Sequence, residues 1–170
     1  MLALKKKSIL KNYKKNIDKY VQKERVQNTK PIKKILLIVK ESVKDAVLND
    51  INKNSTLGKI NIQTLVSCTY DKKRTYTENE ITIKDISIAA KIRKEEVISI
   101  LEKPYDLVIN YDVTNDVVLN YLASKVNAMF FIGFAKQENE LNDLVIKADK
   151  EDYQSFHNEI VKYLKILKKL

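Results

Sequence analysis

The chain has 170 residues and a mass of 19.8 kDa, which suits one domain with a short appendage. It contains only 2 glycines, 1 histidine and 1 cysteine, which excludes Gly-rich phosphate-binding loops, an internal disulfide and a four-ligand zinc site of histidine and cysteine. Residues 1–34 carry 12 basic and 2 acidic residues, whereas residues 35–170 carry 20 of each sign. The whole formal net charge of +10 therefore belongs to the first fifth of the chain.

The first segment, from Leu2 to about Val26, has the pattern of an amphipathic helix. Its apolar stripe consists of residues at helical spacing, namely Ile9, Tyr13, Ile17, Tyr20 and Val21. Leu2, Leu4 and Leu10 widen this stripe, and lysines fill most other positions. Because Pro31 disfavours helix at the residue before it, we expect the helix to end where the charge bias also ends. The sequence thus predicts a basic N-terminal helix over residues 1–30 and a second unit over residues 31–170.

Beyond residue 31, short apolar runs alternate with helical patterns. Strands are predicted at 34–39, 60–68, 106–110, 128–134 and 144–147, with a further short strand at 86–89. Helices are predicted at 42–51, 95–102, 115–125 and 152–170. The polar stretch 71–85 is interpreted as a surface loop. Such alternation is typical of a mostly parallel sheet with helices on both faces. We therefore expect an α/β fold, a Rossmann-like or flavodoxin-like three-layer sandwich of five or six strands.

The basic segment is the first candidate site. Its cations are Lys5, Lys6, Lys7, Lys11, Lys14, Lys15, Lys19, Lys23 and Arg25. Such a stripe binds phosphates by releasing condensed counterions, and lysine supplies point charge rather than the bidentate geometry that reads bases. Tyr13 and Tyr20 could stack on unpaired bases, but they also lie on the apolar stripe, which could pack on the domain or on a protein partner.

Three interpretations of this helix remain open. It could bind RNA or a ribonucleoprotein such as the ribosome, it could bind an anionic membrane surface, or it could be a solvated helix in a lysine-rich protein. The stripe lacks Trp and Phe, which are the usual deep membrane anchors. We favour a non-enzymatic RNA-associated protein in which a neutral α/β domain carries an RNA-docking helix.

The second candidate is the carboxyl edge of the predicted sheet, where open α/β folds place their ligands. The residues expected there are Glu41, Asp71, Asn110 and Asp112. The three acids could gather around Mg²⁺, which prefers oxygen ligands, in a small-molecule-binding or phosphoryl-transfer enzyme. Acidic residues at strand ends are also common in ordinary polar loops, and no spaced acidic motif marks a metal site. The sequence therefore predicts no metal and no cofactor.

Three further features bear on chemistry and location. His157 is predicted to lie on the surface of the last helix, since no nucleophile can be paired with it from sequence. Cys68, in a strand pattern, is expected to behave as a small buried hydrophobe. A single unpaired cysteine fits a reducing compartment, and no apolar run approaches the roughly 20 residues of a membrane-spanning helix. Lysines at 5–7 also interrupt any signal-peptide core, so the expected location is cytoplasmic.

The later part of the chain contains four short sequence motifs in a fixed order. They are YDLVIN at 105–110, SKVNAMFFIG at 124–133, NDLVI at 142–146 and KYLKIL at 162–167. Residues 100–168 thereby resemble an uncharacterised family of small basic bacterial proteins, a domain of unknown function. The resemblance implies an α/β fold with a lysine-rich leading helix, and it implies no activity.

Overall fold

The computed structural model describes residues 1–21, 30–134 and 140–170. In these ranges six strands form one parallel sheet, namely β1 Lys34–Lys40, β2 Asn61–Cys68, β3 Glu80–Thr82, β4 Leu107–Tyr111, β5 Phe131–Phe134 and β6 Leu144–Ile146. The α-helices are α1 Leu2–Val21, α2 Glu41–Lys53, α3 Glu95–Glu102, α4 Val117–Ala123 and α5 Tyr153–Ile166, and single 3-10 turns lie at Leu57–Lys59 and Ile83–Asp85. The strand order β3-β2-β1-β4-β5-β6 is that of the doubly wound Rossmann sheet. The predicted α/β sandwich is confirmed.

Strand β1 lies at the centre because its branched apolar side chains can be buried on both faces. Its five inner residues are all buried, and it pairs with β2 on one side and β4 on the other. Leu36 and Ile38 point to one face, here called the front face, which is covered by α1, α3 and α4. Ile35 and Leu37 point to the opposite or back face, which is covered by α2 and α5. The sheet is thus enclosed by two separate apolar cores.

Helix α1 packs on the front face beside α4. Ile9 is fully buried and Ile17 is 6% exposed, and both join the front-face core. The Tyr20 ring meets Phe131 edge-on at 5.2 Å between centroids, and the Asn16 amide Nδ2 donates to Ser124 Oγ at 3.0 Å. The part of the apolar stripe that contains Ile9 and Ile17 therefore covers its own domain, whereas Leu2, Leu4 and Leu10 at its margin are exposed.

Two features of the polar stretch 71–92 differ from the sequence prediction. The predicted strand at 86–89 is wrong, because Ile86 forms only a single bridge with Ile92 around a turn. A strand forms instead at Glu80–Thr82, within the stretch interpreted as a loop. This short strand pairs with β2, and its two polar side chains, Glu80 and Thr82, are buried and bound by groups of the same stretch. Arg74 Nη2 donates to Glu80 Oε1 at 2.7 Å.

The other element boundaries lie within a few residues of the predicted ones. The largest differences are at β5, which begins at Phe131 rather than at 128, and at α5, which ends at Ile166 rather than at 170. The predicted end of the N-terminal helix, together with Lys23 and Arg25, lies outside the described residues.

His157 is not on the surface, so that prediction is wrong. Its side chain is fully buried between α5 and α2, where Nδ1 lies 2.5 Å from Asp50 Oδ2. Burial lowers the pKa of His157 and outweighs the hydrogen bond and the charge of Asp50, which raise it. The neutral imidazole is therefore the form that the folded protein favours.

Removing the buried side chain of Ile9 tests whether α1 is part of the fold. I9A should lower the free energy of unfolding by about 2–5 kcal/mol, the usual cost of such a cavity. L4A on the same helix, where the side chain is 64% exposed, should change it by less than about 0.5 kcal/mol. Urea denaturation followed by circular dichroism measures both. Equal effects of the two substitutions would show that α1 does not pack on the domain in solution.

The His157 pKa predicts an acid-sensitive fold. In the unfolded state His157 binds a proton with an ordinary pKa of about 6.5, whereas in the folded state its pKa is lower. The stability that the neutral imidazole contributes is therefore fully present above about pH 6.5 and is lost as the pH falls toward the folded-state pKa. The free energy of unfolding should therefore decline between pH 6.5 and 5. H157Q, which lacks the titrating group, should be less stable at pH 7.5 but nearly flat over that window. A wild-type profile as flat as that of H157Q would contradict the argument.

Candidate functional site

A crevice of about 810 Å³ lies at the carboxyl edge of the sheet. It sits where the chain leaves β1 toward the back face and β4 toward the front face, which is the position where open α/β sheets bind ligands. The turns after β1, β2 and β4 line it, and the first turn of α1 adds Leu2 and Lys6. A cavity therefore lies at the edge that the sequence offered as its second candidate site.

Two of the predicted residues at this edge are engaged by neighbours of their own. Glu41 begins α2 and forms an ion pair with Arg74, which also binds Glu80. Asp71 is exposed, and its Oδ1 accepts a hydrogen bond from the Lys73 backbone N–H at 2.9 Å within a turn. Arg74 thus fastens the loop after β2 to the start of α2, and Asp71 shapes that loop.

The other two predicted residues are buried where β4 leads into α4, Asn110 within β4 and Asp112 in the turn that follows. Asn110 Nδ2 donates to Asn120 Oδ1 at 2.8 Å. Asp112 accepts from the backbone N–H groups of Thr114 and Asp116 at 2.8 and 2.5 Å. Burial raises the pKa of Asp112, against the hydrogen bonds from Thr114 and Asp116, which lower it. Both side chains hold the turn in shape rather than face the crevice.

The acidic residues do not assemble into a metal site. Over residues 1–21, 30–134 and 140–170, no group of three or more His, Cys, Asp or Glu side chains is arranged to hold an ion. Glu41, Asp71 and Asp112 are thus not gathered around a common point, as a magnesium-dependent reaction would need.

The charges beside the crevice are largely paired with one another. Lys40 Nζ lies 2.8 Å from Thr114 Oγ1 and 3.0 Å from Asp116 Oδ2, and Glu41 is paired with Arg74. Helix α2 starts directly after β1, so Glu41 occupies the place where a Gly-rich turn would cradle a pyrophosphate. A carboxylate there disfavours phosphate, which agrees with the absence of a dinucleotide-binding motif from the sequence.

Cys68 lines the crevice with a nearly buried thiol. It is 7% exposed, and burial together with the charge of Glu80 raises its pKa to about 11. Its prediction as a small buried hydrophobe is confirmed.

The lysines of α1 form a separate, unpaired basic surface. Lys7, Lys11, Lys14 and Lys15 follow helical spacing, and all four are exposed; they are here called the lysine face. Lys6 and Lys19 are exposed at its margins, whereas Lys5 turns inward and donates to the Ile83 carbonyl at 2.9 Å. None of the six outward lysines forms an ion pair with an acid in the described part of the chain.

Positive charge continues from α1 to the end of α4. The pKa of Lys125 is lowered, first by burial and then by the charge of Lys19. The Lys125 Nζ also sits 5.3 Å from the Tyr121 ring centroid. The charge of Lys125 therefore adds to the basic surface next to Lys19.

A groove of about 480 Å³ separates the lysine face from the start of α4 and is here called the α1–α4 groove. Its lining combines cationic, apolar and amide groups, namely Lys6, Lys7, Leu10, Tyr13, Lys14, Asn115, Val117 and Asn120. No acidic residue lines it. Sequence reasoning missed Asn115, Asn120 and Val117 as site residues, because only the packing of α1 beside α4 brings them to the lysines.

Fold and surface together define a Rossmann-ordered α/β protein whose first helix presents a basic surface with no ion-pair partner in residues 1–21, 30–134 and 140–170. The chain belongs to the Family of unknown function (DUF6913), whose model matches residues 5–167. The resemblance seen over residues 100–168 is thereby confirmed, and the match includes nearly all of α1. Searches of curated proteins and of solved structures return no match. Among the described helices, none has the length and apolar character needed to cross a bilayer.

The raised pKa of Cys68 predicts a slow reaction with alkylating reagents, because the thiolate is the reactive species. At pH 8 the native protein should react with iodoacetamide at least about tenfold more slowly than the urea-unfolded chain, whose thiol has an ordinary pKa near 8.5. The protein has one cysteine, so mass spectrometry reports this site alone. Rapid labelling of the folded protein would reveal an accessible thiolate in the crevice and would revive the enzyme alternative.

Proposed function

We propose that this protein is a non-enzymatic cytoplasmic protein that binds RNA, as naked RNA or within a ribonucleoprotein such as the ribosome, through the lysine face. One observation carries the proposal. The apolar side of α1 is buried on the domain through Ile9 and Ile17, so the opposite side is held outward with its lysines unpaired among the described residues. Such a surface is complementary to a polyanion.

The docked helix makes phosphate binding efficient. Residues 7–15 span about 12 Å along the helix axis, so the four lysines of the face can contact adjacent phosphates together. Because packing already orders the helix, binding costs less conformational entropy than it would for a disordered basic tail. Lysines contact phosphates as point charges, so the protein should position itself on RNA without reading base sequence.

The geometry favours RNA over the alternatives offered by the sequence. Membrane insertion of the whole apolar stripe requires Ile9 and Ile17 to be exposed, whereas both are buried, which leaves Leu2, Leu4 and Leu10 as its exposed leucines. Phosphoryl transfer at the crevice requires free acids, whereas Glu41 and Asp112 are engaged by other groups. If α1 is only a solvated helix, the positions of its lysines should not matter. A variant that loses the same number of charges elsewhere on the protein tests this alternative.

Neutralising the lysine face should weaken RNA binding selectively. We expect a variant with Lys7, Lys11, Lys14 and Lys15 changed to Gln to bind a fluorescent RNA at least about tenfold more weakly at 100 mM salt. The slope of log K against log salt should become about 3 shallower, the change expected for roughly four lost phosphate contacts. Fluorescence anisotropy across a salt series measures both quantities.

The control variant removes the same charge elsewhere. It carries Gln at four exposed lysines outside α1, namely Lys53, Lys59, Lys150 and Lys165. Its affinity should stay within about threefold of wild type. Equal losses in the two variants would show that bulk charge alone acts and would support the solvated-helix alternative. Ribosomal particles that are captured from lysate, and are no longer captured after nuclease treatment, would support the ribonucleoprotein target. Flotation of the protein with anionic liposomes, without any binding to RNA, would contradict the proposal.

A further inference from the structure

We propose that the α1–α4 groove accommodates one nucleotide of a single-stranded RNA, with its base inside the groove and its flanking phosphates on Lys6, Lys7 and Lys14. This inference rests on the proposed function and specifies the form of RNA that the protein prefers. It assigns a role to residues of α4 and its preceding turn that the lysine face alone does not explain.

The size and lining of the groove fit a nucleotide. Its volume of about 480 Å³ lies within the usual range of about 300–1,000 Å³ for small-ligand sites. Leu10, Tyr13 and Val117 supply apolar and aromatic surface, on which a base can stack whatever its identity. A sugar or a carboxylate alone would leave this surface uncovered.

Charge complementarity points to an anion. Three of the eight lining residues are lysines, and none of the eight is acidic. In the described part of the chain these three lysines have no ion-pair partner. All three lysines are exposed to solvent, so their charges are available to phosphates outside the groove. A base in the groove would therefore place its own phosphates beside fixed positive charge.

Two buried amides, Asn110 and Asn120, position the exposed amide of Asn115, which lines the groove. Asn120 Oδ1 accepts from Asn110 Nδ2 at 2.8 Å, and Asn120 Nδ2 donates to Asn115 Oδ1 at 3.0 Å. Asn115 has the left-handed φ of 54°, which asparagine adopts more readily than most residues. Because the amide oxygen of Asn115 is engaged, its Nδ2 is the group left to donate to a base carbonyl or a phosphate oxygen. Asn110 and Asn120 are thus positioning residues for Asn115.

The arrangement distinguishes single strands from duplexes. A base within a duplex is stacked and paired, so only an unpaired nucleotide can enter the groove. A duplex would contact the lysine face and leave the groove empty. The groove also shares Lys6, Asn115 and Val117 with the crevice at the sheet edge, so a strand has room to continue beyond the inserted nucleotide.

The test compares a fluorescein-labelled 12-nucleotide oligouridine with a 12-base-pair RNA duplex on the full chain. We expect wild type to bind the single strand more tightly at equal salt. L10A and N115G should each weaken single-strand binding by about fivefold while leaving duplex binding unchanged. Glycine keeps the left-handed backbone at 115 and removes only the amide. L4A removes an exposed leucine of the same helix that lies outside the groove, and it should bind both RNAs as wild type does.

A photocrosslink provides a readout that does not depend on affinity. An oligonucleotide with one 4-thiouridine should crosslink mainly to Tyr13 or to a neighbouring lining residue, as mapped by mass spectrometry. Equal affinity for the two RNAs, L10A indistinguishable from L4A, or crosslinks confined to residues outside the groove would overturn the groove while leaving lysine-face binding intact. No binding of either RNA by wild type would overturn both the groove and the proposed function.

Discussion

The burial of one side of α1 is the interaction on which the rest of the surface depends. Ile9 and Ile17 enter the front-face core, and the hydrogen bond from Asn16 to Ser124 sets the position of the helix beside α4. Since side chains three and four residues apart share a helix face, burying one side determines where every lysine of α1 points. A helix of the same composition without this packing would present its charges in no fixed direction.

The charge pattern of α1 opposes its own folding. Lys7 and Lys11, and Lys11 and Lys15, are like-charged neighbours one turn apart, and such pairs destabilise a helix by about 0.2–0.5 kcal/mol each. In α1 there is no acidic residue in the first turn to interact with the helix dipole. The helix therefore depends on packing against α4 and on Tyr20 against Phe131 for its stability. The lysines of α1 therefore contribute nothing favourable to the helix through these pairs, and we propose an external anion as their partner.

Sequence patterns predicted the parts of the structure that local rules determine. The run KILLIV predicted the central strand because branched apolar residues buried on both faces leave a continuous signal. Strand β3 escaped prediction because it is short and largely polar and forms by pairing with β2, whereas the burial of His157 escaped because it depends on a distant partner. Arg74 neutralises Glu80 at the edge of the sheet, and Asp50 lies 107 positions from His157. The lysines were evident from composition, whereas the α1–α4 groove exists only after two helices far apart in sequence are packed together.

The usual ligand position of the Rossmann order is largely occupied by the protein's own groups. Because α2 begins directly after β1, the Glu41 carboxylate lies in the crevice at the carboxyl edge of the sheet. Arg74, in the loop after β2, forms an ion pair with it. Lys40 is likewise held by Thr114 and Asp116. These internal pairs leave the sheet edge with little net attraction for an anion. The helix that precedes the sheet carries cations that have no ion-pair partner among the described residues, so the phosphate binding that we propose is assigned to α1 rather than to the strand ends.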